Sequence, residues 1–277
     1  MQLHPAFASD NAAVITGAAD GIGLAAAQRY AGMGMRVCMA DVDADRLKTA
    51  AGSIEGAIAV VTDVSDKAAV DALRDTAMDA FGRVDVLMNN AGIGRPSSSW
   101  SDYDNWQATL GVNLWGVING VQSFTQAMLD QGSPGLIINT GSKQGITSPP
   151  GNPAYNVSKA GVKAVSEALQ HSLRETSGCQ LSAHLLVPGF TYTGMIRRHI
   201  PDQPAAAWSA AQVIDFLVES VSRGDFYVIC PDNDVDRATD NKRMTWTMAD
   251  VTENRPPLSR WHPDYANAFA SFMEVGD

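Results

Sequence analysis

The chain has 277 residues, which fits one large domain or two small ones, and its 45% hydrophobic and 18% charged residues form an ordinary globular mixture. This composition excludes fibrous proteins, disordered tails and disulfide-rich miniproteins. Its 20 Lys and Arg against 30 Asp and Glu give a formal net charge of −10, so its field repels the phosphates of nucleic acids and anionic lipid surfaces. We therefore expect neither a nucleic-acid partner nor a membrane partner.

The amino-terminal residues and the cysteines predict a soluble, cytoplasmic protein. Residues 1–5 contain no Lys or Arg and no long apolar core follows them, so they lack the parts of a secretory signal. No stretch approaches the ~18–20 consecutive apolar residues that a membrane helix requires. Cys38, Cys179 and Cys230 are widely spaced among apolar neighbours, which predicts buried, reduced thiols and neither a disulfide nor a metal site.

Short runs rich in β-branched residues alternate with longer segments of helical pattern. The predicted strands cover residues 13–16, 36–40, 57–61, 84–88, 135–139, 181–187 and 226–230. Strands that are apolar on both faces and separated by helices indicate a parallel sheet with a layer of helices on each face. The sequence therefore predicts an α/β fold, a single Rossmann-type doubly wound domain over residues 1–277 with about seven parallel strands.

Two helix starts and an unusual carboxyl-terminal segment complete the predicted elements. Asn152 followed by Pro153 is a favourable helix start, and another helix is expected to begin near Ser209. Residues 231–277 are rich in Trp, Pro, Arg and Asp and have no strand period, so we expect a tail of loops and short helix there.

Alternating aspartates from Asp232 onward are reminiscent of a calcium-binding loop. The sixth and twelfth positions of that pattern are Arg237 and Arg243, which excludes an EF-hand. A solvated turn is predicted instead, and no metal is expected.

A glycine-rich segment follows the first predicted strand and precedes a helical pattern. Its sequence is Thr16-Gly17-Ala18-Ala19-Asp20-Gly21-Ile22-Gly23. Glycines let the backbone approach a pyrophosphate, whose charge is met by the amides at the start of the next helix. Asp41, at the end of the second strand, is expected to accept hydrogen bonds from the adenosine ribose and to repel a 2′-phosphate, and Asp20 adds negative charge. NAD is therefore favoured over NADP; alternatively, Asp41 only caps the next helix.

A tyrosine and a lysine lie four residues apart near the start of the helix at Pro153. The i, i+4 spacing places Tyr155 and Lys159 on one helix face, where the ammonium can favour the phenolate and bring the pKa of the tyrosine toward neutrality. Ser142 follows a predicted strand, at the edge where α/β sheets bind ligands, and can bind a substrate oxygen. Singly, each has an ordinary structural explanation as a half-buried, solvated or turn residue; together they indicate catalysis.

The chain resembles the short-chain dehydrogenase/reductase family, in its compact single-domain form. The marks that match over roughly residues 10–230 are Thr16-Gly17-x-x-x-Gly21-x-Gly23, Asp63-Val64, Asn89-Asn90-Ala91-Gly92, Asn113, Ser142, Tyr155-x-x-x-Lys159, and Pro188-Gly189 followed by Thr193. They occur in the order and spacing of the family.

The resemblance implies a role for each catalytic residue. Tyr155 would be the general acid/base, Ser142 would hydrogen-bond the same substrate oxygen, Lys159 would hold the nicotinamide ribose, and Asn113 would position a water in a proton relay. The cofactor would contact Gly17, Asp20, Gly21, Ile22, Gly23, Asp41, Asp63, Val64, Asn90, Ala91, Gly92, Tyr155, Lys159, Pro188, Gly189 and Thr193.

The resemblance also indicates where a substrate would bind. Ser142, Gln144, Tyr155 and Met195 are the candidate contacts, with residues 190–210 as a mobile substrate loop. Lys143 either contacts substrate or belongs to a solvated turn. The aromatic residues of the tail are expected to cover the substrate cleft or a neighbouring subunit; they are Trp246, Trp261, Tyr265, Phe269 and Phe272.

The predicted function is the NAD-dependent interconversion of a secondary alcohol and a ketone. The expected partner is therefore a small-molecule alcohol or ketone substrate. Two alternatives remain: a non-catalytic NAD(H)-binding redox sensor, and an epimerase or dehydratase that uses the same Tyr-Lys pair. A serine hydrolase is unsupported because the chain has no Gly-x-Ser-x-Gly. The family resemblance implies a homo-oligomer, a tetramer or dimer, with helices over residues 102–130 and 153–176 at its interface.

Overall fold

A seven-stranded parallel sheet forms the centre of the molecule. The structure is a computed structural model and describes residues 2–274. Its strands are β1 (Ala12–Thr16), β2 (Arg36–Asp41), β3 (Ile58–Val61), β4 (Val86–Asn89), β5 (Gly135–Thr140), β6 (Leu181–Val187) and β9 (Tyr227–Ile229), and a two-stranded sheet pairs β7 (Thr191–Tyr192) with β8 (Trp208–Ser209). The large sheet has the order β3-β2-β1-β4-β5-β6-β9. The strand order reverses between β1 and β4, which is where doubly wound sheets bind ligands.

Helices cover both faces of the sheet. They are α1 (Gly21–Ala31), α2 (Ala44–Ala51), α3 (Lys67–Phe81), α4 (Tyr103–Leu110), α5 (Gly116–Asp130), α6 (Gln144–Thr147), α7 (Pro153–Glu175), α8 (Gly194–Arg197), α9 (Ala210–Ser222), α10 (Arg237–Thr252) and α11 (Ala266–Glu274). One apolar cluster joins the sheet to α1, α2 and α9, and a second joins it to α3, α5 and α7. The predicted doubly wound α/β fold is confirmed.

The predicted strands agree with the structure to within two residues at each end, but β3 is less buried than predicted. It lies at the edge of the sheet, and its residues alternate between partly buried and exposed, with Val61 60% exposed. An edge strand has only one neighbouring strand, and here its second face is turned to water. Both helix starts are confirmed: Asn152 accepts a hydrogen bond from the amide of Tyr155 at 3.3 Å, and Ser209 and Gln212 form a capping box.

The long helix predicted over residues 102–130 is interrupted. A π-helical turn (Gly111–Trp115) separates α4 from α5 and contains Asn113. Such single turns widen a helix locally and re-aim the side chains that it carries.

The expectation of loops and short helix in the tail is wrong for its first half, because α10 has 16 residues. Asp236 caps its start by accepting a hydrogen bond from the amide of Thr239 at 2.8 Å. The buried positions of α10 include Asp240 and Asp250 beside Trp246, so the side that packs against the protein is largely charged. An apolar period therefore could not reveal this helix.

The three cysteines are free thiols, as predicted, although only two of them are fully buried. Burial raises the pKa of both Cys38 and Cys230 to about 12, whereas Cys179 is half-buried.

Within residues 2–274, no helix is long and apolar enough to cross a membrane.

Candidate active site

The glycine-rich turn between β1 and α1 is tightly closed. Gly17 and Gly21 have φ of +66° and +56°, a region that favours glycine. A Cβ on Gly23 would lie 2.2 Å from the carbonyl oxygen of Gly17, so only glycine permits this approach. Because these glycines carry no side chains, a pyrophosphate could approach the first backbone amides of α1.

Asn90 connects the turn to the neighbouring strands. Its Nδ2 donates to the carbonyl oxygens of Thr16 at 3.1 Å and Gly17 at 3.4 Å, while its Oδ1 accepts from the hydroxyl of Thr140 at 3.2 Å. The hydroxyl oxygen of Thr16 accepts from the amides of Asn90 at 2.9 Å and Ala91 at 3.1 Å. Sequence reasoning assigned no role to Thr16 or Thr140. Their position at the carboxyl ends of strands that enclose the site was the available signal.

Asp41 links the end of β2 to the glycine-rich turn. Its two carboxylate oxygens accept hydrogen bonds from the amides of Ala19 at 3.1 Å and Asp43 at 3.0 Å. The cap of α2 is Asp43, which accepts from the amide of Arg46 at 3.1 Å. The alternative explanation, that Asp41 caps that helix, is therefore wrong. Each carboxylate oxygen has a second lone pair for a ribose hydroxyl.

Asp20 has two partners in this structure. It caps α1 by accepting from the amide of Gly21 at 2.6 Å, and it pairs with the guanidinium of Arg197 at 3.5 Å. Arg197 belongs to α8, inside the predicted substrate loop. A Cβ on Gly194 would lie 1.8 Å from Oδ2 of Asp20, and one on Gly21 would lie 3.1 Å from Cβ of Thr193. The substrate loop thus rests directly on the glycine-rich turn.

The other predicted cofactor residues surround the same edge of the sheet. Asp63 is exposed and accepts from the amide and the hydroxyl of Ser65, at 2.9 and 2.7 Å, whereas Val64 is buried in the apolar core. A Cβ on Gly189 would lie 2.7 Å from the carbonyl oxygen of Pro231, so this glycine accommodates the start of the tail. The contacts predicted for Asp63 and Val64 with adenine, and for Ile22 and Pro188 with the cofactor, stay predictions.

Tyr155, Lys159 and Ser142 converge beyond the carboxyl end of β5. The ammonium of Lys159, whose residue is 4% exposed, donates to the carbonyl oxygen of Thr140 at 2.8 Å and lies 5.7 Å from the centroid of the Tyr155 ring. The hydroxyl of Ser142 hydrogen-bonds that of Tyr155 and accepts from the amide of Gln144 at 3.2 Å. The three side chains that the resemblance singled out therefore form one site.

The electrostatics of this site differ from the expectation that Lys159 brings the pKa of Tyr155 down. Burial raises the pKa of Tyr155, because it disfavours the phenolate, and the hydrogen bond from Ser142 acts in the opposite direction. Burial also lowers the pKa of Lys159 to about 8. The ammonium hydrogen-bonds the backbone of β5 and not the phenol oxygen, which explains why burial prevails at Tyr155.

Asn113 is fully buried and holds the segment after β4 in place. Its Oδ1 accepts from the amide of Ile93 at 2.8 Å, and its Nδ2 donates to the carbonyl oxygen of Ile93 at 2.9 Å and to the hydroxyl of Ser158 at 3.1 Å. The neighbouring Gly92 lies against it, since a Cβ there would be 3.5 Å from Oδ1 of Asn113 and 3.8 Å from Nζ of Lys159. The side chain of Asn113 thus joins the segment after β4 to α7, and its role in a water relay stays a prediction.

The residues proposed for substrate contact lie around this centre in different surroundings. Met195 is 38% exposed, and its sulfur would lie 3.5 Å from a Cβ on Gly94, so α8 faces the segment after β4. Gln144 is exposed at the start of α6. Lys143 is neither solvated nor turned to the reaction centre, because its ammonium pairs with Asp240 at 2.6 Å.

The aromatic residues of the tail pack mainly against one another. Trp246 is 5% exposed, and its ring centroid lies 5.3 Å from that of Phe269 and 5.3 Å from that of Phe272. The guanidinium of Arg255 stacks 4.1 Å from the Trp246 ring centroid. These three aromatic residues therefore form a cluster of their own, and the expectation that the tail covers the cleft or a neighbouring subunit stays a prediction.

The residues present fit a nicotinamide dinucleotide. The glycine-rich turn gives a phosphate access to helix amides, and Asp41 keeps acceptor capacity beside it. The buried ammonium of Lys159 uses one of its three donors on Thr140, which leaves two for ribose hydroxyls. No group of three or more His, Cys, Asp or Glu residues suited to a metal ion occurs within residues 2–274.

A family model described as short chain dehydrogenase matches residues 11–204. The chain belongs to this family. A 1-deoxy-11-beta-hydroxypentalenate dehydrogenase from Streptomyces exfoliatus is 33% identical to this short-chain dehydrogenase over 260 residues, which cover 90% of this chain and 94% of the relative. A CLA biosynthesis dehydrogenase/reductase from Lactiplantibacillus plantarum is 29% identical over 264 residues, covering 92% and 89%.

A solved structure supports the same assignment. A short chain dehydrogenase/reductase from Burkholderia phymatum in complex with NAD superposes with a TM-score of 0.82 at 33% identity, covering 91% of this chain and 97% of that one. This short-chain dehydrogenase is therefore a member of an oxidoreductase family whose proteins bind a nicotinamide cofactor. The family model ends before the tail, so residues 231–274 lie outside the part that it describes.

Proposed function

We propose that this short-chain dehydrogenase is an NAD-dependent oxidoreductase that interconverts a secondary alcohol and a ketone. The convergence of Ser142, Tyr155 and Lys159 at the carboxyl end of β5 carries the proposal. A hydroxyl pair that is hydrogen-bonded in this way offers two donors to one substrate oxygen, next to a buried cation.

In the proposed mechanism, the substrate oxygen lies between the hydroxyls of Ser142 and Tyr155. When a ketone is reduced, Tyr155 donates its proton to that oxygen; when an alcohol is oxidised, it removes the proton. Ser142 holds the oxygen in place, and Lys159 binds the ribose next to the reacting carbon. A bound nicotinamide supplies or accepts the hydride. The raised pKa of Tyr155 keeps the phenol protonated near neutral pH, which suits ketone reduction.

The choice of NAD rests on Asp41. Its carboxylate stands at the end of β2, where the adenosine ribose binds in this fold, and would repel a 2′-phosphate. The related protein of known structure that contains NAD supports this choice. Asp20 contributes less to the repulsion of a 2′-phosphate than the sequence suggested, because Arg197 partly neutralises its charge.

For the substrate we propose an apolar body that carries a hydroxyl or keto group. Met195 on the substrate loop offers an apolar contact, and Ser142 and Tyr155 offer polar contacts. One relative at 33% identity is named for a hydroxylated compound, 1-deoxy-11-beta-hydroxypentalenate. Gln144 would contact the polar part.

Three further expectations belong to the proposal. The free thiols Cys38 and Cys230 suit a reducing compartment, so we propose a cytoplasmic location. We propose one domain over residues 1–277, since α10 pairs with Lys143 in the main body. We also propose a homo-oligomer, which is taken up in the Discussion.

The first test replaces the phenol. Tyr155→Phe should lower kcat roughly a thousandfold or more, because the proton donor is lost, while the Kd of NADH stays within about threefold. The measurements are NADH absorbance with a panel of aliphatic, cyclic, aryl, steroid, sugar and hydroxy-acid alcohols and their ketones, and NADH fluorescence for binding.

Tyr103→Phe is the matched control, because Tyr103 is 72% exposed on α4 and should tolerate the change. A Tyr155→Phe variant that keeps more than about a tenth of the wild-type turnover would contradict the mechanism. NADH binding without turnover of any substrate in the wild-type protein would favour the redox sensor, and turnover without net NADH consumption would favour an epimerase or dehydratase.

A further inference from the structure

A cluster of buried charges lies directly behind the catalytic serine. Lys143 follows Ser142 in the chain, and its ammonium lies 2.6 Å from a carboxylate oxygen of Asp240 on α10 and 3.6 Å from one of Asp232. The side chains of both aspartates are only 6% exposed, and that of Lys143 is 21% exposed. The turn predicted to be solvated is indeed exposed at Asn233, Asp234 and Asp236, but the side chain of Asp232 is buried.

The turn that carries Asp232 also holds both ends of the substrate loop. The carboxylate of Asp232 accepts a hydrogen bond from the amide of Phe190 at 3.0 Å, where the loop begins. The side-chain amide of Asn233 donates to the carbonyl oxygen of Ala205 at 2.7 Å. The backbone amide of Asn233 donates to the carbonyl oxygen of Ala206 at 3.0 Å. Two consecutive residues thus fix the distance across the loop that carries Met195.

On the other side of the cluster, α6 connects Lys143 to the catalytic helix. A Cβ on Gly145 would lie 2.5 Å from the carbonyl carbon of Lys159, so α6 and α7 are in backbone contact. The carbonyl oxygen of Lys143 accepts from the amides of Ile146 and Thr147, both within 3.1 Å, so Lys143 is the residue immediately before α6. The backbone of Lys143 is therefore joined to Ser142 and, through α6, to α7.

The cost of burying these charges indicates that the arrangement is specific. A buried ion pair stabilises a protein little compared with an apolar contact, but loss of one partner leaves an uncompensated charge and is severely unfavourable. Burial raises the pKa of Asp240, while Lys143 and Arg243 act against that shift. The charges consequently tolerate only a narrow range of positions for α10 relative to Ser142.

We infer that Lys143 is a positioning residue which, through its ion pairs with Asp232 and Asp240, holds Ser142, the substrate loop and α10 in one fixed arrangement. The tail is then part of the substrate-binding apparatus and helps to set specificity. The inference rests on the proposed function for its catalytic consequence; its structural part can be tested without a substrate.

Hydrogen exchange of the protein without substrate tests the structural part. Asp240→Asn should make the amides of residues 142–147 and 188–195 exchange about tenfold faster or more, because the ammonium loses its closest partner. Asp234→Asn is the matched control, since Asp234 is exposed in the same turn. Faster exchange confined to α10, or equal exchange in the two variants, would overturn the inference.

Steady-state kinetics test the catalytic part. Lys143→Met should lower kcat/KM about tenfold to a hundredfold, mainly through KM for the substrate, while the Kd of NADH changes less than about threefold. Lys143→Arg keeps the charge and should restore at least half of the activity. If Lys143→Arg is as impaired as Lys143→Met, or if both equal the wild type, the positioning role is wrong.

If a single variant fails to fold, a second substitution that removes an uncompensated charge still tests the ion pair. Lys143→Met leaves the carboxylates of Asp232 and Asp240 without their cation, and adding Asp240→Asn removes one of these charges, so the double variant should unfold at a higher temperature than Lys143→Met alone. A double variant no more stable than the single one would contradict the ion pair. An inactive wild-type protein would refute the proposed function, and the exchange result would still decide the inference.

Discussion

At the scale of single residues, Asp41 has a structural role beside the selective role that we propose for it. Its carboxylate binds the amides of Ala19 and Asp43, and so joins the glycine-rich turn to the end of β2. The charge needed for these two bonds is also the charge that a 2′-phosphate would meet. We therefore expect cofactor choice and the shape of the turn to be coupled, so that a substitution which deletes the whole side chain changes both.

Asp41→Asn removes the charge and keeps one of the two acceptor oxygens, so it disturbs the turn less than deletion of the side chain does. We expect the ratio of kcat/KM with NAD to that with NADP to fall about tenfold or more, since the repulsion of the 2′-phosphate disappears. Asp43→Asn is the control, as it changes the same charge at the adjacent helix cap. A ratio that falls equally in both variants would show that Asp41 does not select the cofactor.

Sequence patterns singled out the proposed catalytic residues but not the contacts that hold them. The spacing of Tyr155 and Lys159 is local and was readable as one helix face. The pairing of Lys143 with Asp240 joins positions far apart in the chain, one of them on a helix without an apolar period. Such a contact depends on tertiary packing, which a spacing rule cannot reveal.

At the scale of elements, the substrate loop rests on the glycine-rich turn through a single small residue. The α-carbon of Gly194 lies against the carboxylate of Asp20, which also caps α1. The strands were predicted to within two residues because each is a short apolar run with turn signals at its ends. The loop has two-residue strands and a four-residue helix, so its form depends on contacts with the turn and with Asp232.

Gly194→Ala should disturb this contact, because the added methyl would lie 1.8 Å from Oδ2 of Asp20 and must displace that carboxylate. We expect a loss of about 1 kcal/mol in the free energy of unfolding, as for a removed helix cap, and weaker NADH binding. Urea unfolding and NADH fluorescence measure the two effects.

Gly111→Ala is the matched control, since its added methyl would meet only an ordinary contact, 3.6 Å from Cβ of Ser65. Adding Asp20→Ala to Gly194→Ala removes the displaced group, so the second change should cost less than it does in the wild-type protein. Full additivity of the two changes would show that Asp20 and Gly194 do not interact.

At the scale of the whole molecule, large apolar side chains are exposed on the helices that we propose for an oligomer interface. Trp115, between α4 and α5, is 57% exposed, and Val157 on α7 is 48% exposed. Trp100 and Tyr103, just before and at the start of α4, are 92% and 72% exposed. Exposed apolar residues grouped in this way are typical of protein contacts.

Trp115→Lys should therefore reduce the oligomer to a smaller species, because a charge would be buried at the interface. Light scattering after size-exclusion chromatography measures the mass. Val61→Lys is the control, as Val61 is 60% exposed on β3, away from these helices. A wild-type protein that is monomeric, or a Trp115→Lys variant of unchanged mass, would contradict the proposed interface.

The junction of β1 with β4 has a consequence for how the protein reaches its native state. Ala13 pairs with Val86 there, whereas β1, β2 and β3 follow one another closely in the chain. Thr16 and Gly17 lie on one side of this junction and Asn90 and Ala91 on the other, so a half-assembled sheet has no complete dinucleotide site. A nicotinamide dinucleotide would bind only chains in which both halves have met, so by mass action it would stabilise the native state. We therefore expect the coenzyme to favour the completely folded protein over partly assembled forms.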